Sequence, residues 1–480
     1  MSGGEIAQAE HARSGFREVL ELAGLGRQEI SQFSGKEALN EADWQLIVQL
    51  LHRLAQYPAS QLDAWVTDEP LIVLAQQPSE SVGTLVKISG SVTSAESLVV
   101  PVRLGGELHN LRFLHRCQFQ LSDSAHSGVV ITSKIPREWM DAVVLREPVN
   151  LRGIVLQTHS EHAAASTFVL LTDRLSWYPV EGASSGKLLL ARQGMDVALL
   201  DEVIHRQPFV RLETSREGEA FYACLAAISR ADRLDLLTLA KENVDVVVQR
   251  WQRKAVGFQK ENEILEKELS ATKEKAERAR LQQQIESARR NRSIAEVVFR
   301  QGEKGLSSLA PLFLEPEQET GELVRLEGTA RRAIKILVDD HPEIDGYYEM
   351  EIFTSESRYL QNQPVVCCVP QLPEGFPTGD AIREPVRIAG VFFKSWRYRS
   401  RELAESGGET KRAQSLYTPL VVGAIPTWLD QSVSQSSPWG LGLGVGFLIA
   451  LAVVWVAVAR LARSDRQVRA TLRRTDRIDL

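Results

Sequence analysis

The chain states a pattern and then states it again. Residues 83–92 read GTLVKISGSV and residues 321–330 read GELVRLEGTA, 238 positions later. LREPVNLRGIV at 145–155 returns as IREPVRIAGVF at 382–392, displaced by 237. Pro78 and Pro316 stand at one spacing ahead of the first match, and Pro136 and Pro373 fall between the two matches of their own copy. The endings FVLLTDRLSW (168–177) and PLVVGAIPTW (419–428) correspond once an insertion is allowed in the second copy. Anchors that recur in one order mean that one supersecondary unit is built twice.

The repeated unit reads as short strands. An alternating run from Leu85 to Val92 is followed by strand patterns at Leu111–Leu121 and Gly128–Ser133. A helical turn fits Glu138–Val144, and further strands fit Val149–Leu156 and Phe168–Leu171. Three strands, a short helix and two strands are the order of a five-stranded Greek-key barrel of the OB type, with a β-sandwich as the competing arrangement. Gly90 and Gly153, like Gly328 and Gly390, interrupt strand patterns where a bulge or barrel corner belongs.

Helical patterns precede both barrels. In residues 15–56, Trp44, Ile47, Val48, Leu51 and Leu54 recur at helical spacing. Residues 188–230 carry Phe221, Cys224, Leu225 and Ile228 on an equivalent stripe, which suggests that the repeated unit is a helical module plus a barrel. Between them the second copy gains a proline-free stretch from Val244 to Gly302, rich in Glu, Lys, Arg, Gln and Ala. Propensity and many i,i+4 opposite charges make it a long solvated helix or helical hairpin. Leu265, Leu269, Ala276 and Ala279 form a broken heptad seam with Ile285 out of register, so either an intrachain hairpin or an intermolecular coiled coil fits.

Near the C-terminus the 21 residues from Trp439 to Ala459 carry no charge. At 1.5 Å per residue they span about 31 Å, enough for one membrane crossing. Arg460, Arg463, Arg466, Arg469, Arg473, Arg474 and Arg477 follow, and the positive-inside bias places this tail in the cytoplasm and the body outside. The N-terminal stretch has no apolar leader region, so the expectation is a leader missing from the sequence, with a tail-anchored cytoplasmic body as the alternative. Gly440, Gly442, Gly444 and Gly446 form overlapping small-xxx-small pairs suited to helix self-association.

The expected architecture is therefore α+β. A helical module (1–62), a first OB-like barrel (71–180) and a second helical module (181–243) come first. A charged insert (244–302), a second barrel (309–428), a linker (429–438), a transmembrane helix (439–459) and an Arg-rich tail (460–480) complete it. Composition agrees with a folded body: 44% of residues are apolar and 25% charged. A net charge of −6 advertises no polybasic surface, and four cysteines exclude a disulfide scaffold.

Chemical motifs are weak. GASSGKL (182–188) lacks P-loop spacing and reads as an interdomain linker. His159 and His162 lack a third ligand, and DDHPEIDG (339–346) reads as an acidic turn. Cys367 and Cys368 sit where the first copy has Val130 and Ile131, which points to apolar packing. No metal and no cofactor is expected, and no catalytic residue is assigned.

One patch stands out: FFKSWRYRSR (392–401) interleaves aromatic and basic residues at the fourth strand of the second barrel. Lys394, Trp396, Arg397, Tyr398 and Arg399 form a candidate ligand-binding patch of the kind OB barrels use for polymers, against the alternative of a charged, solvated edge. The leading functional expectation is a non-enzymatic, membrane-anchored scaffold or adaptor. It would meet protein partners and self-associate through the transmembrane glycines or the 244–302 helix. A binder of nucleic acid or another polyanion through 392–401 is second and loses nucleic acid if the body is exported. An enzyme with a site assembled between domains is third.

Overall fold

From Val86 to Val92 every second side chain is buried, while Lys87 and Ser89 between them are exposed. That is the period of a strand with one wet face. The strand, β1 (Leu85–Val99), pairs antiparallel with β2 (Phe113–Leu121) on one side and β4 (Glu147–His162) on the other. β2 pairs with β3 (Ser127–Thr132), β3 lies parallel to β5 (Ala165–Thr172), and β5 returns antiparallel to β4. The circuit β1-β2-β3-β5-β4 closes on β1 as a five-stranded barrel, and a two-residue strand, β6 (Ser176–Trp177), pairs with β4 outside that circuit. A 3-10 turn at Arg137–Trp139 links β3 to β4 and buries Trp139.

These relations come from a computed structural model. It describes residues 15–35, 38–101, 111–122, 126–140, 145–162, 165–209, 215–339, 341–358, 363–398, 416–429, 451–458 and 460. Residues 1–427 form one compact unit and 428–480 a second.

A second sheet of similar size repeats the circuit with β7 (Leu323–Leu337), β8 (Gly346–Thr354), β9 (Val365–Val369), β10 (Glu384–Tyr398) and β11 (Leu416–Gly423). Its order is β7-β8-β9-β11-β10, with β10 pairing back to β7 and β9 parallel to β11. Even the irregularities correspond. The β1/β2 ladder shifts between Val92 and Ser94, and the β7/β8 ladder between Ala330 and Arg332, 238 positions on. The β4/β5 ladder shifts between Val155 and Gln157, and the β10/β11 ladder between Phe392 and Lys394, 237 positions on. A Cβ on Gly90 would lie 2.2 Å from the Gln120 carbonyl oxygen, and one on Gly328 would lie 2.5 Å from that of Phe353. Only glycine lets these strands approach so closely.

The helices repeat in order as well. The first set is α1 (Phe16–Leu22), α2 (Arg27–Ile30), α3 (Glu41–Ala55), α4 (Ala59–Trp65), α5 (Leu71–Gln76) and α6 (Pro78–Ser81). The second is α7 (Ser185–Arg192), a 3-10 stretch (Val197–Glu202), α8 (Arg216–Arg230), α9 (Arg233–Ala271), α10 (Lys275–Gly302), α11 (Ala310–Leu314) and α12 (Pro316–Glu319). α1 and α7 each end on a left-handed glycine, Gly24 at φ 73° and Gly194 at φ 82°. α3 and α8 are both 15 residues long, N-capped by Asn40 and Ser215 through side-chain oxygens that accept a backbone N–H. α9 begins as α4 does, but runs on for 39 residues before α10 returns, so the charged insert is an outgrowth of the α4 position.

That outgrowth is a hairpin within one chain. Trp251, Ala295 and Val298 pack at its root, and Leu265, Leu281 and Ile285 pack near its tip. Ala276 and Ala279, expected on the seam, are exposed, whereas Ile285 is buried. An antiparallel hairpin sets its register by the facing helix, not by one continuous heptad frame. The stretch 182–188, expected as a linker, is the start of α7. Ser184 accepts from the Lys187 N–H, and a Cβ on Gly186 would lie 2.0 Å from the Gly321 carbonyl oxygen.

Two apolar cores sit in the larger unit. One joins Phe16, Leu20, Ile47, Leu50 and Leu54 of the first helices to Leu85, Leu114, Ile154 and Leu171 of the first barrel. The other runs through α7 and α8, where Phe221 lies, and takes side chains from both sheets, among them Phe119, Phe168, Tyr347 and Phe393. Among the described residues no helix is long and apolar enough to cross a membrane. Of the apolar stretch 439–459, residues 451–458 are helical with exposed side chains. Gly440, Gly442, Gly444 and Gly446 lie outside the described residues.

Candidate functional site

The strand expected to present an aromatic and basic face does something else. At the shift between Phe392 and Lys394 in β10, strict alternation fails, and Phe392, Phe393, Lys394 and Ser395 are buried in succession. Lys394 is 0% exposed; its ammonium donates to Glu217 Oε1 of α8 at 2.5 Å and lies 5.5 Å from the centre of the Phe209 ring. Burial pulls the Lys394 pKa down, and the Glu217 carboxylate opposes it. This lysine is therefore enclosed and paired, not offered to a polymer. Trp396 is half-buried with its ring 6.2 Å from Phe209, and Arg397 is exposed. Tyr398 ends β10 opposite Leu416, and Arg399 lies outside the described residues.

A segment of the second helical module forms the cover. The Arg206 N–H donates to the Ser395 carbonyl at 2.7 Å, and the Arg397 N–H donates to the Gln207 carbonyl at 3.2 Å. Arg206 adopts φ 59°, unusual for a residue with a Cβ. The His205 ring stacks on Phe392 with 3° between planes. Its Nδ1 accepts the Ser395 N–H at 3.2 Å, and its Nε2 lies 3.0 Å from the Thr320 hydroxyl, which donates to the Pro316 carbonyl. The neutral tautomer with hydrogen on Nε2 satisfies every contact. Burial pushes the His205 pKa down to about 4.

A cleft of about 780 Å³ lies where α8 meets the α3–α4 turn and the β7–β8 turn. Its wall follows one face of α8, from Arg216 and Glu219 through Ala223 and Ala226 to Arg230. Charge here is internally matched. Arg216 reaches Asp173 at 2.6 Å and Glu219 at 3.1 Å. Buried Arg174 bridges Asp196 and Glu219, and Arg230 reaches Glu343 at 2.5 Å across the rim. Such groups hold elements together; none is poised as a base beside a nucleophile.

The other motifs resolve into structure. Cys367 and Cys368 are fully buried in β9, as Val130 and Ile131 are in β3. Burial pushes the Cys117 and Cys224 thiols up to about 12 and raises Cys367 as well. Among the described residues no group of three or more His, Cys, Asp or Glu is placed to hold a metal ion. His159 is exposed on β4.

The element that projects is the α9–α10 hairpin. Beyond its root, α9 exposes Glu261, Glu263, Glu266 and Glu268, and α10 exposes Arg278, Arg280, Arg289, Arg290 and Arg292. Arg289 pairs with Glu266 at 2.9 Å across the hairpin. The root is fastened by Arg250 to Glu319 and by Lys254 to Glu315. Burial pushes the Glu319 carboxyl up to about 7, against the pull of Arg250. Sequence reasoning missed this fastening, because its partners are more than sixty positions apart. Comparisons with family models, curated proteins and solved structures found no match for the chain.

Proposed function

We propose that this chain is a non-enzymatic scaffold or adaptor, built from a duplicated helical module plus OB-type barrel and held at a membrane by the apolar stretch 439–459. The α9–α10 hairpin is its partner-contacting element. The observation that carries this reading is the hairpin itself. Its apolar seam is used within the chain, its root is ion-paired to α12 and the preceding turn, and its outer faces are charged. A rigid projection of this kind adds little to the core it leaves, and suits contact with another macromolecule.

The buried state of Lys394 weakens the polyanion reading of 392–401, and the matched charges of the 780 Å³ cleft weaken the enzyme reading. The test is proximity capture in the native host, with a photo-crosslinker at Ile264, which is 56% exposed. Discrete adducts at Ile264 that are missing from a Lys87 control support the scaffold; identical patterns from both positions reject it. An impermeant thiol reagent on a single cysteine placed at Ser434 tests the orientation expected from the Arg-rich tail.

A further inference from the structure

A second recess, about 340 Å³, opens where the first turns of α9 meet β7 and β10. Leu234, Leu237 and Thr238 form one wall; Lys241, Arg325 and Arg387 supply the charge, and no carboxylate lines it. Thr427, the last residue of the larger unit, closes one side.

The first copy shows what this place looks like when it is neutralised. Lys87 of β1 holds the position of Arg325 in β7, since Leu85 and Leu323 open equivalent strands. There Asp63 of α4 pairs with Lys87 at 3.6 Å and with Arg152 at 3.4 Å. α9 begins at Arg233 as α4 begins at Ala59, so Leu237 stands where Asp63 would be. The second copy has lost the acid and Arg152, whose place Ala389 takes beside Arg325, but it keeps a cation at Arg325 and adds Lys241 and Arg387. Lys241 has no ion-pair partner among the described residues, and the buried Arg325 Nε finds no hydrogen-bond acceptor. Arg387 alone is compensated, by Glu327 at 2.7 Å. Beside these charges Leu234 is 71% exposed.

We propose that this recess binds the phosphate of an anionic phospholipid headgroup, with Lys241 and Arg325 on the phosphate and Leu234 against the acyl edge. The proposal rests on the membrane-anchor reading. The chain leaves the larger unit at Thr427, and the eleven residues 428–438 can span at most about 40 Å before the apolar stretch begins. The volume suits a headgroup, and guanidinium and ammonium groups are the usual phosphate donors.

The experiment uses the full chain in a mild non-ionic detergent. Thermal unfolding is followed with dihexanoyl phosphatidylglycerol, dihexanoyl phosphatidylcholine or inorganic phosphate added. The expected result is a rise of about 2 °C or more with the anionic lipid alone. It should vanish in Lys241→Glu and in Thr238→Asp, which restores an acid to the wall without removing a cation. The unliganded melting temperatures of both variants should match the parent. No rise, an equal rise with phosphatidylcholine, or an equal rise with inorganic phosphate would each overturn the headgroup site. Alkaline carbonate extraction runs alongside: release of the chain would overturn the anchor and the membrane source of the ligand. Retention without a selective rise would overturn the recess alone.

Discussion

Lys394 is the residue at which alternation misleads. On a regular strand it shares a face with Trp396 and Tyr398, and a basic, aromatic edge follows. The ladder shift beside it places four successive side chains in the interior, and its partner, Glu217, is 177 positions away. Neither fact has a local signature, although the matching shift before Gln157 shows that the irregularity belongs to the fold. Glu217→Ala should cost about 3–5 kcal/mol in urea unfolding, because it strands a buried ammonium. Lys394→Met combined with Glu217→Met should recover most of that loss; if the double variant is no better than the single, the pair is not what holds this site. His205 and Glu319 make a pH prediction of opposite sign. His205 has a folded pKa near 4 against 6.5, so the unfolded state binds more protons between those values and acid destabilises. Glu319 has a folded pKa near 7 against 4.5, so the folded state binds more protons and acid stabilises up to that point. Relative to the parent, removing the first titration with His205→Gln should tilt stability upward as pH falls from 7 to 4.5. Glu319→Gln should tilt it downward over the same range, with Asp201, Glu322 and Glu356, also raised by burial, contributing equally to all three proteins. Equal slopes in both variants and the parent would refute the assignment.

At the scale of elements, the strands and glycine positions were legible because a half-buried strand writes its period into the chain, and close strand approach demands glycine. The hairpin was legible as helix, since Glu, Lys, Arg, Gln and Ala fill it. Its pairing was not. The tip is held by Leu265, Leu281 and Ile285 with Leu269 against them, too few apolar positions to define a frame before the facing helix is known. The same thinness predicts local behaviour. Leu281→Asp should open the tip and expose 260–290 to limited proteolysis, with no change in the melting of the rest of the chain. Trp251→Ala, at the root beside Val298 and Ala295, should destabilise the rest of the chain as well, by about 3–5 kcal/mol. Equal effects from the two substitutions would mean that the hairpin is not the separable element its seams describe.

Over the whole molecule, the repeat dictated two similar barrels, and the circuits, registers and ladder shifts correspond. What a repeat cannot state is how its copies are joined, because that depends on residues that differ between them. Here α8 is the joint, and it holds each barrel by different chemistry. Toward the second barrel it offers Phe221, whose ring lies 5.4 Å from Tyr347 and 5.6 Å from Phe393. Toward the first barrel a polar grip is added to the shared apolar core: Arg174 after β5 reaches Glu219 of α8 and Asp196 ahead of it, and the Trp177 N–H donates to the same Asp196. Because one apolar core runs through α7 and α8 into both barrels, neither barrel can lose its packing without exposing the other's. Phe221→Ala should cost about 3–5 kcal/mol through the cavity it leaves, and Arg174→Ala a similar amount through two stranded carboxylates. Scanning calorimetry of the full chain should show each substitution moving one cooperative transition of residues 1–427 as a whole. A transition that splits in Phe221→Ala, with one half unmoved, would mean that the barrels unfold independently and that α8 belongs to the second alone.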